Sequence, residues 1–271
     1  MKLSLRARWS LGALTAVVLV FIYLPLIVVA INSFNPSKTF SWPPSGFTTS
    51  WWAKALHNEG VVSALLTSVK AGLGATVIAL LLGTCAAFAV ARYQFFGKET
   101  VSLLVVLPIA LPGIVTGIAL NSAFRTLLEP FGVGFGLFTV IVGHATFCIV
   151  ILYNNVLARL RRMGTSLEEA SSDLGASMFQ TFRYVTFPMI RSALVAGSLL
   201  AFALSFDEIV VTTFTSGANV QTLPQWIFNN LFRPNQAPIV NVVATMLIIG
   251  FMVPVWLSQK LSEGVVSGGR L

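Results

Sequence analysis
Apolar residues run along this chain in six long blocks: Leu11–Ile31, Val61–Val90, Val101–Phe124, Gly134–Leu157, Ser192–Phe214 and Ile239–Leu257. About 20 consecutive apolar residues carry a helix across a bilayer. The pattern therefore predicts an all-α membrane protein with six transmembrane helices, the second long enough to tilt or to protrude as a short cap. No polar stretch of domain size lies outside the blocks, so residues 1–271 read as one membrane domain. Asn32–Gly60 carries Trp42, Trp51 and Trp52, and tryptophans beside a membrane segment are usually interface anchors. Leu223–Leu231 reads as a short surface helix with Pro224 in its first turn.

The polar island Arg159–Arg191 interrupts the pattern most sharply. In two boxes a hydroxyl precedes Glu or Gln by three residues, Ser166 to Glu169 and Ser177 to Gln180. At that spacing side chain and backbone cap each other at a helix start. Gly175 lies between the boxes, where a left-handed residue would end the first helix, and Pro188 should limit the second. The island is expected to fold as a helix–Gly–helix hairpin on the membrane surface.

Two irregularities lie inside the blocks. Pro108 and Pro112 should each kink the third helix, and a bilayer tolerates such breaks only where protein or a water-filled cavity satisfies the freed groups. Gly113 and Gly117 form a small-xxx-small pair for close helix contact, which suits the lining of a path that opens and closes. The fifth block holds two acids, Asp207 and Glu208. An acid there is costly and is by default a functional hypothesis with a partner to be named. Neighbours on a helix point about 100° apart, so one acid is expected to face a pathway and attract a cation while the other contacts a neighbouring helix. Lys70, at a comparable depth in the second block, is the candidate ion-pair partner. His144 reads as a helix–helix hydrogen-bonding residue and not as a ligand or base.

Charge adds orientation. Hydrophobic residues make up 56% of the chain and charged residues 10%, yet the net charge is +8. With the N-terminus in the cytoplasm, twelve of the 17 Lys and Arg residues fall on the cytoplasmic side, and only Lys38, Lys54, Arg125 and Arg233 on the other. The positive-inside rule then places both termini and the island in the cytoplasm. Basic residues that flank membrane segments account for the charge without nucleic acid. The first block, with 21 uncharged residues and no clear cleavage site, is expected to stay as an uncleaved helix. Cys85 and Cys148 fall inside apolar blocks, without disulfide or metal spacing.

The island resembles the EAA loop of ABC-importer permeases. Glu169-Ala170-Ser171, Gly175, Val185 and Phe187-Pro188 keep that loop's spacing, with Ser171 for the second Ala and Phe187 for Leu. Leu107–Gly117, Val142–Phe147, and Leu204–Val211 with Thr222–Pro224 resemble the polyamine (spermidine/putrescine) branch, second-permease type. The resemblance implies the six-helix core of a type I importer in a bacterial cytoplasmic membrane. It makes Glu169, Ala170 and Gly175 coupling residues that dock on a cytoplasmic ATPase dimer. Asp207, with Glu208 beside it, becomes the pathway acid, and Tyr23 and Trp51 become aromatic contacts, because aromatic faces attract alkylammonium groups. The implied partners are that ATPase dimer, a second homologous permease, an extracytoplasmic substrate-binding protein and membrane lipid. ATP and Mg would sit on the ATPase, with no cofactor on this chain. In spermidine-import relatives an acid stands about where Gly113 is here, which leaves the amine open.

Enzyme readings find no support in the residues. There is no P-loop for ATP hydrolysis, no HExxH pattern and no Ser nucleophile elbow. A secondary transporter would need coupling-ion sites and usually an inverted repeat, and a membrane scaffold needs neither intramembrane acids nor a doubly broken third helix. Within the importers, the alternative is another small cationic or amino-acid-like solute.

Overall fold
The structure, a computed structural model, describes residues 4–38, 42–233 and 235–267, with side chains of the last helix described as far as Met252. Lys2 and Arg270 lie outside the described residues, as does the side chain of Lys260. Twelve α-helices follow in order among them: α1 (Leu5–Asn32), α2 (Ser50–Leu56), α3 (Glu59–Arg92), α4 (Lys98–Ala110), α5 (Gly113–Leu127), α6 (Leu137–Met163), α7 (Ser166–Asp173), α8 (Met178–Thr181), α9 (Phe187–Phe206), α10 (Val210–Thr215), α11 (Leu223–Asn230) and α12 (Ala237–Ser267). No strand occurs among the described residues. Four helical runs are long and apolar enough to cross a membrane: α1, α3, α6 and the run Met178–Phe206. A fifth crossing is formed if α4 and α5, bent by 108° at their junction, are taken as one span. Ala237–Met252 of α12 is a shorter apolar helix.

The chain divides into two compact units, Met1–Val62 with Trp226–Leu271, and Ser63–Gln225. In the second unit α6 is the central helix. α3 turns a small residue toward the core at every fourth position, Ala71, Ala75, Ala79, Gly83 and Ala87. Such a stripe matters in lipid, where helix association rests on close van der Waals packing. A Cβ on Gly83 would lie 2.8 Å from the Ile149 carbonyl oxygen of α6. On α9, a Cβ on Gly197 would lie 3.0 Å from Leu152 Cδ1. Between these approaches Leu152, Tyr153, Val156 and Leu160 are buried. In the first unit α12 packs on α1 and α2. The apolar side chains of α1 from Leu11 to Ile27 stay exposed, a surface that suits lipid or another subunit.

Three expectations change on contact with the structure. The third block is broken once and not twice. Pro108 sits inside α4, whereas Pro112 becomes the N-cap of α5 and Leu111 before it is extended (φ −82°, ψ 144°), as the residue preceding a proline prefers. The fifth block ends its long helix at Phe206 and restarts at Val210, so Asp207 and Glu208 lie in a gap and not in a continuous span. Five β-branched residues, Ile209–Thr213, follow the acids and weaken helix propensity there. Pro188 does not end its helix. The turn before it widens into a π-turn, Phe182–Thr186, closed by the Phe187 N–H to the Phe182 carbonyl, which makes room where the proline ring would meet the preceding turn.

Candidate functional site
The polar island folds as a hairpin with a left-handed corner. Gly175 has φ +83°, a conformation nearly free for glycine and costly for residues with a Cβ. Its N–H bonds the Ser172 carbonyl at 2.9 Å, and the Ala176 N–H bonds the Ser171 carbonyl at 3.1 Å. These are the two bonds of a Schellman cap. The second box closes as expected: the Ser177 N–H bonds Gln180 Oε1 at 2.8 Å, and the Gln180 N–H bonds Ser177 Oγ at 3.4 Å. The first box does not form, because Thr165 takes the N-cap position and Ser166 is already helical. Ser171, the departure from the second Ala, ties the two arms of the hairpin through a 3.0 Å hydroxyl contact with Thr181.

Glu169 and Ala170 are exposed, and the Glu169 carboxylate makes no hydrogen bond or ion pair among the described residues. The anchoring acid is its neighbour Glu168, which sequence reasoning passed over. Glu168 pairs with Arg92 at 2.6 Å and accepts from the Thr186 hydroxyl at 2.7 Å. Arg92 also donates to the Leu160 and Gly164 carbonyls. One guanidinium at the end of α3 thus joins the last turn of α6 to the hairpin. The available signal was positional, a lone Arg closing the second block opposite adjacent acids. Around the corner, Leu174, Met178 and Phe179 are largely exposed (89%, 79% and 69%), an apolar patch on an otherwise polar loop.

The acids occupy the gap between α9 and α10. Asp207 is exposed and sits at the C-cap of the 20-residue α9, where unpaired carbonyls and the helix dipole add negative potential. Glu208 turns the other way: its Oε1 accepts the Val211 N–H at 2.8 Å and so caps α10. The other end of α10 is tied as well. Asn121 of α5 donates to the Phe214 carbonyl at 2.6 Å, and Thr139 of α6 to the Thr215 carbonyl at 2.7 Å. These bonds pair an N–H of the first turn of α10 and two of its last carbonyls, groups that a bilayer core would otherwise leave unsatisfied. The Gly113–Gly117 face receives α10: Cβ atoms there would lie 3.5 Å from Val210 and 2.5 Å from the Phe214 ring. His144, buried, bonds Ser205 Oγ at 2.7 Å and Thr212 Oγ1 at 2.8 Å, so it joins helices as its sequence context suggested.

Lys70 pairs with neither acid among the described residues. Its level is right, since Gly72 lies against the Phe202 ring. Two residues of helix, however, rotate Lys70 about 200° away from that contact, and it is exposed. Trp51 is buried, with its indole N–H donating to the Asn35 carbonyl at 3.1 Å. The Lys54 ammonium stands 4.4 Å from the ring centroid, a cation–π contact within the chain. Tyr23 is exposed on α1. Both aromatics belong to the first unit and both acids to the second.

The family of binding-protein-dependent transport system inner membrane components matches residues 75–265. The chain belongs to this family. It is 34% identical over 241 residues to the putrescine transport system permease protein PotI of Escherichia coli K12, covering 86% of this chain and 85% of the relative. To the spermidine/putrescine transport system permease protein PotC of Haemophilus influenzae it is 32% identical over 253 residues, covering 93% and 96%. A putative 2-aminoethylphosphonate transport system permease protein, PhnV of Salmonella choleraesuis, is 31% identical over 268 residues, covering 95% and 98%. Among solved structures, a bacterial ABC transporter involved in the import of the acidic polysaccharide alginate matches with a TM-score of 0.72 at 16% identity, covering 96% of this chain and 99% of that one. The inward-facing MetNI methionine ABC transporter matches with a TM-score of 0.56 at 21% identity, covering 82% and 99%. The fold is that of an ABC-importer permease. Membership makes the chain a multi-pass membrane component of a transport system and not an enzyme.

Proposed function
We propose that this chain is a permease subunit of an ATP-driven importer for polyamines such as putrescine or spermidine. The observation that carries the reading is the likeness to PotI and PotC over most of both chains. Asp207 supports it chemically. A polyamine carries several positive charges, and an exposed carboxylate at the carbonyl end of α9 offsets part of the cost of dehydrating them. One further reading has a specific observation behind it: the likeness to PhnV favours an amino-acid-like solute bearing both an amine and an acid.

The working cycle is alternating access. A second permease subunit completes the path, and a soluble receptor delivers substrate. An ATPase pair, which holds ATP and Mg, closes on the hairpin through Glu169, Ala170 and the apolar patch around Gly175. The reading has six crossings in a bacterial cytoplasmic membrane, with α12 as the sixth and both termini inside, and it treats the chain as a single permease domain. The distribution of Lys and Arg supports that orientation. Purification of the intact complex from native membranes tests the assembly. A second permease, an ATPase and a receptor should copurify, and ATP hydrolysis should rise with loaded receptor. Isolation without any ATPase would contradict the proposal.

A further inference from the structure
His144 is a buried titratable side chain in a helix read as crossing the membrane, and neither coupling nor the cation path uses it directly. Such a residue marks function by default and calls for named partners. Its partners lie on opposite sides of the gap that carries the acids: Ser205 in the last turn of α9 at 2.7 Å and Thr212 in α10 at 2.8 Å. The Thr212 hydroxyl donates to the Glu208 carbonyl at 2.8 Å. Its oxygen is therefore left to accept from Nε2–H, and Nδ1 accepts from the Ser205 hydroxyl. Every member of this network is buried or half-buried and in use.

The reach of one imidazole decides what this network permits. Its two nitrogens are about 2 Å apart, so with these two bonds the hydroxyl oxygens stand no more than about 8 Å apart. In an unbroken helix, residues seven apart are separated by about 10.5 Å along the axis, and both side chains lean toward the N-terminus, so the offset persists. One imidazole cannot hold both hydroxyls of a continuous helix. Gly143 adds the close approach: a Cβ there would lie 3.2 Å from Thr215 Cγ2 and 3.3 Å from Val211 Cγ1.

We infer that His144 is a positioning residue, a two-point latch that keeps α9 and α10 separate and so sets where Asp207 presents its carboxylate to the substrate. The second half of the inference rests on the pathway reading of Asp207. The test measures amide hydrogen exchange at residues 207–213, and the KM for putrescine uptake, in the assembled complex. The variants are Ser205→Ala, Thr212→Val, the two together, His144→Leu, and all three together. Each hydroxyl variant should speed exchange roughly fivefold and the pair more than about tenfold. KM should rise in the same order while assembly and ATP hydrolysis hold. Because the latch acts through those hydroxyls, His144→Leu should add little to the pair beyond the loss of the ring's contact with Phe147. If His144→Leu alone fails to assemble, the hydroxyl variants still decide. Wild-type exchange in the paired variant, or a full extra effect of His144→Leu on top of it, would overturn the latch. Asp207→Asn runs in parallel: normal uptake there, with exchange shifted as expected in the others, removes the substrate half and leaves the latch standing.

Discussion

At the scale of single residues, two adjacent acids have different chemistry. Asp207 is exposed at the carbonyl end of α9, whereas Glu208 spends its carboxylate on the first turn of α10. Asp207→Asn keeps shape and deletes charge, so uptake should fall at least about tenfold with assembly intact, read as initial uptake against subunit recovery. Glu208→Gln retains an acceptor for the Val211 N–H and should be nearly silent. Glu208→Ala loses the cap, at about 1 kcal/mol, and should lower the melting temperature of the complex. Equal loss in Glu208→Gln and Glu208→Ala would show that charge and not capping matters at that position. Gly175→Val forces a β-branched residue to φ +83°, which costs roughly 1 kcal/mol or more and should leave ATP hydrolysis poorly coupled to uptake.

At the scale of elements, the contacts that decide behaviour are joints. Arg92 links the end of α3 to the last turn of α6 and to Glu168 of the hairpin. Arg92→Ala should therefore reduce substrate moved per ATP hydrolysed while the complex still assembles; an unchanged ratio would mean the joint carries no motion. The α5–α10 contact gives a sharper comparison. Gly113→Ala adds a methyl at ordinary contact distance and should be tolerated, while Gly117→Ala drives one into the Phe214 ring and should reduce recovered complex. Elements differ in how legible they were. The long apolar blocks announced α1, α3 and α6 because about 20 apolar residues have few other uses, and Gly175 announced the corner because left-handed backbone selects glycine. The gap at Asp207–Ile209 was only faintly legible, in the two acids and the β-branched run Ile209–Thr213 after them, because most of the bonds that hold it come from Asn121, Thr139 and His144, far away in sequence. Glu168 and Glu169 are indistinguishable by composition. Only the fold shows that one faces Arg92 and the other solvent.

At the scale of the whole molecule, the six-crossing topology proposed above puts Ser177 and Ser216 on opposite sides of the membrane. In a Cys85→Ser background, which removes the exposed native thiol, a cysteine replacing Ser177 should react with an impermeant thiol reagent only from the cytoplasmic side. One replacing Ser216 should react only from outside, and labelling of both from one side would contradict the six-crossing topology. The exposed apolar faces of α1, α4 and α5 call for lipid or another subunit. Substrate class is decided by ATP-driven uptake into proteoliposomes that hold the purified complex. Radiolabelled putrescine should accumulate only with ATP and receptor present, with competition by spermidine and none by 2-aminoethylphosphonate. Accumulation of 2-aminoethylphosphonate with indifference to both polyamines would contradict polyamine import by this complex.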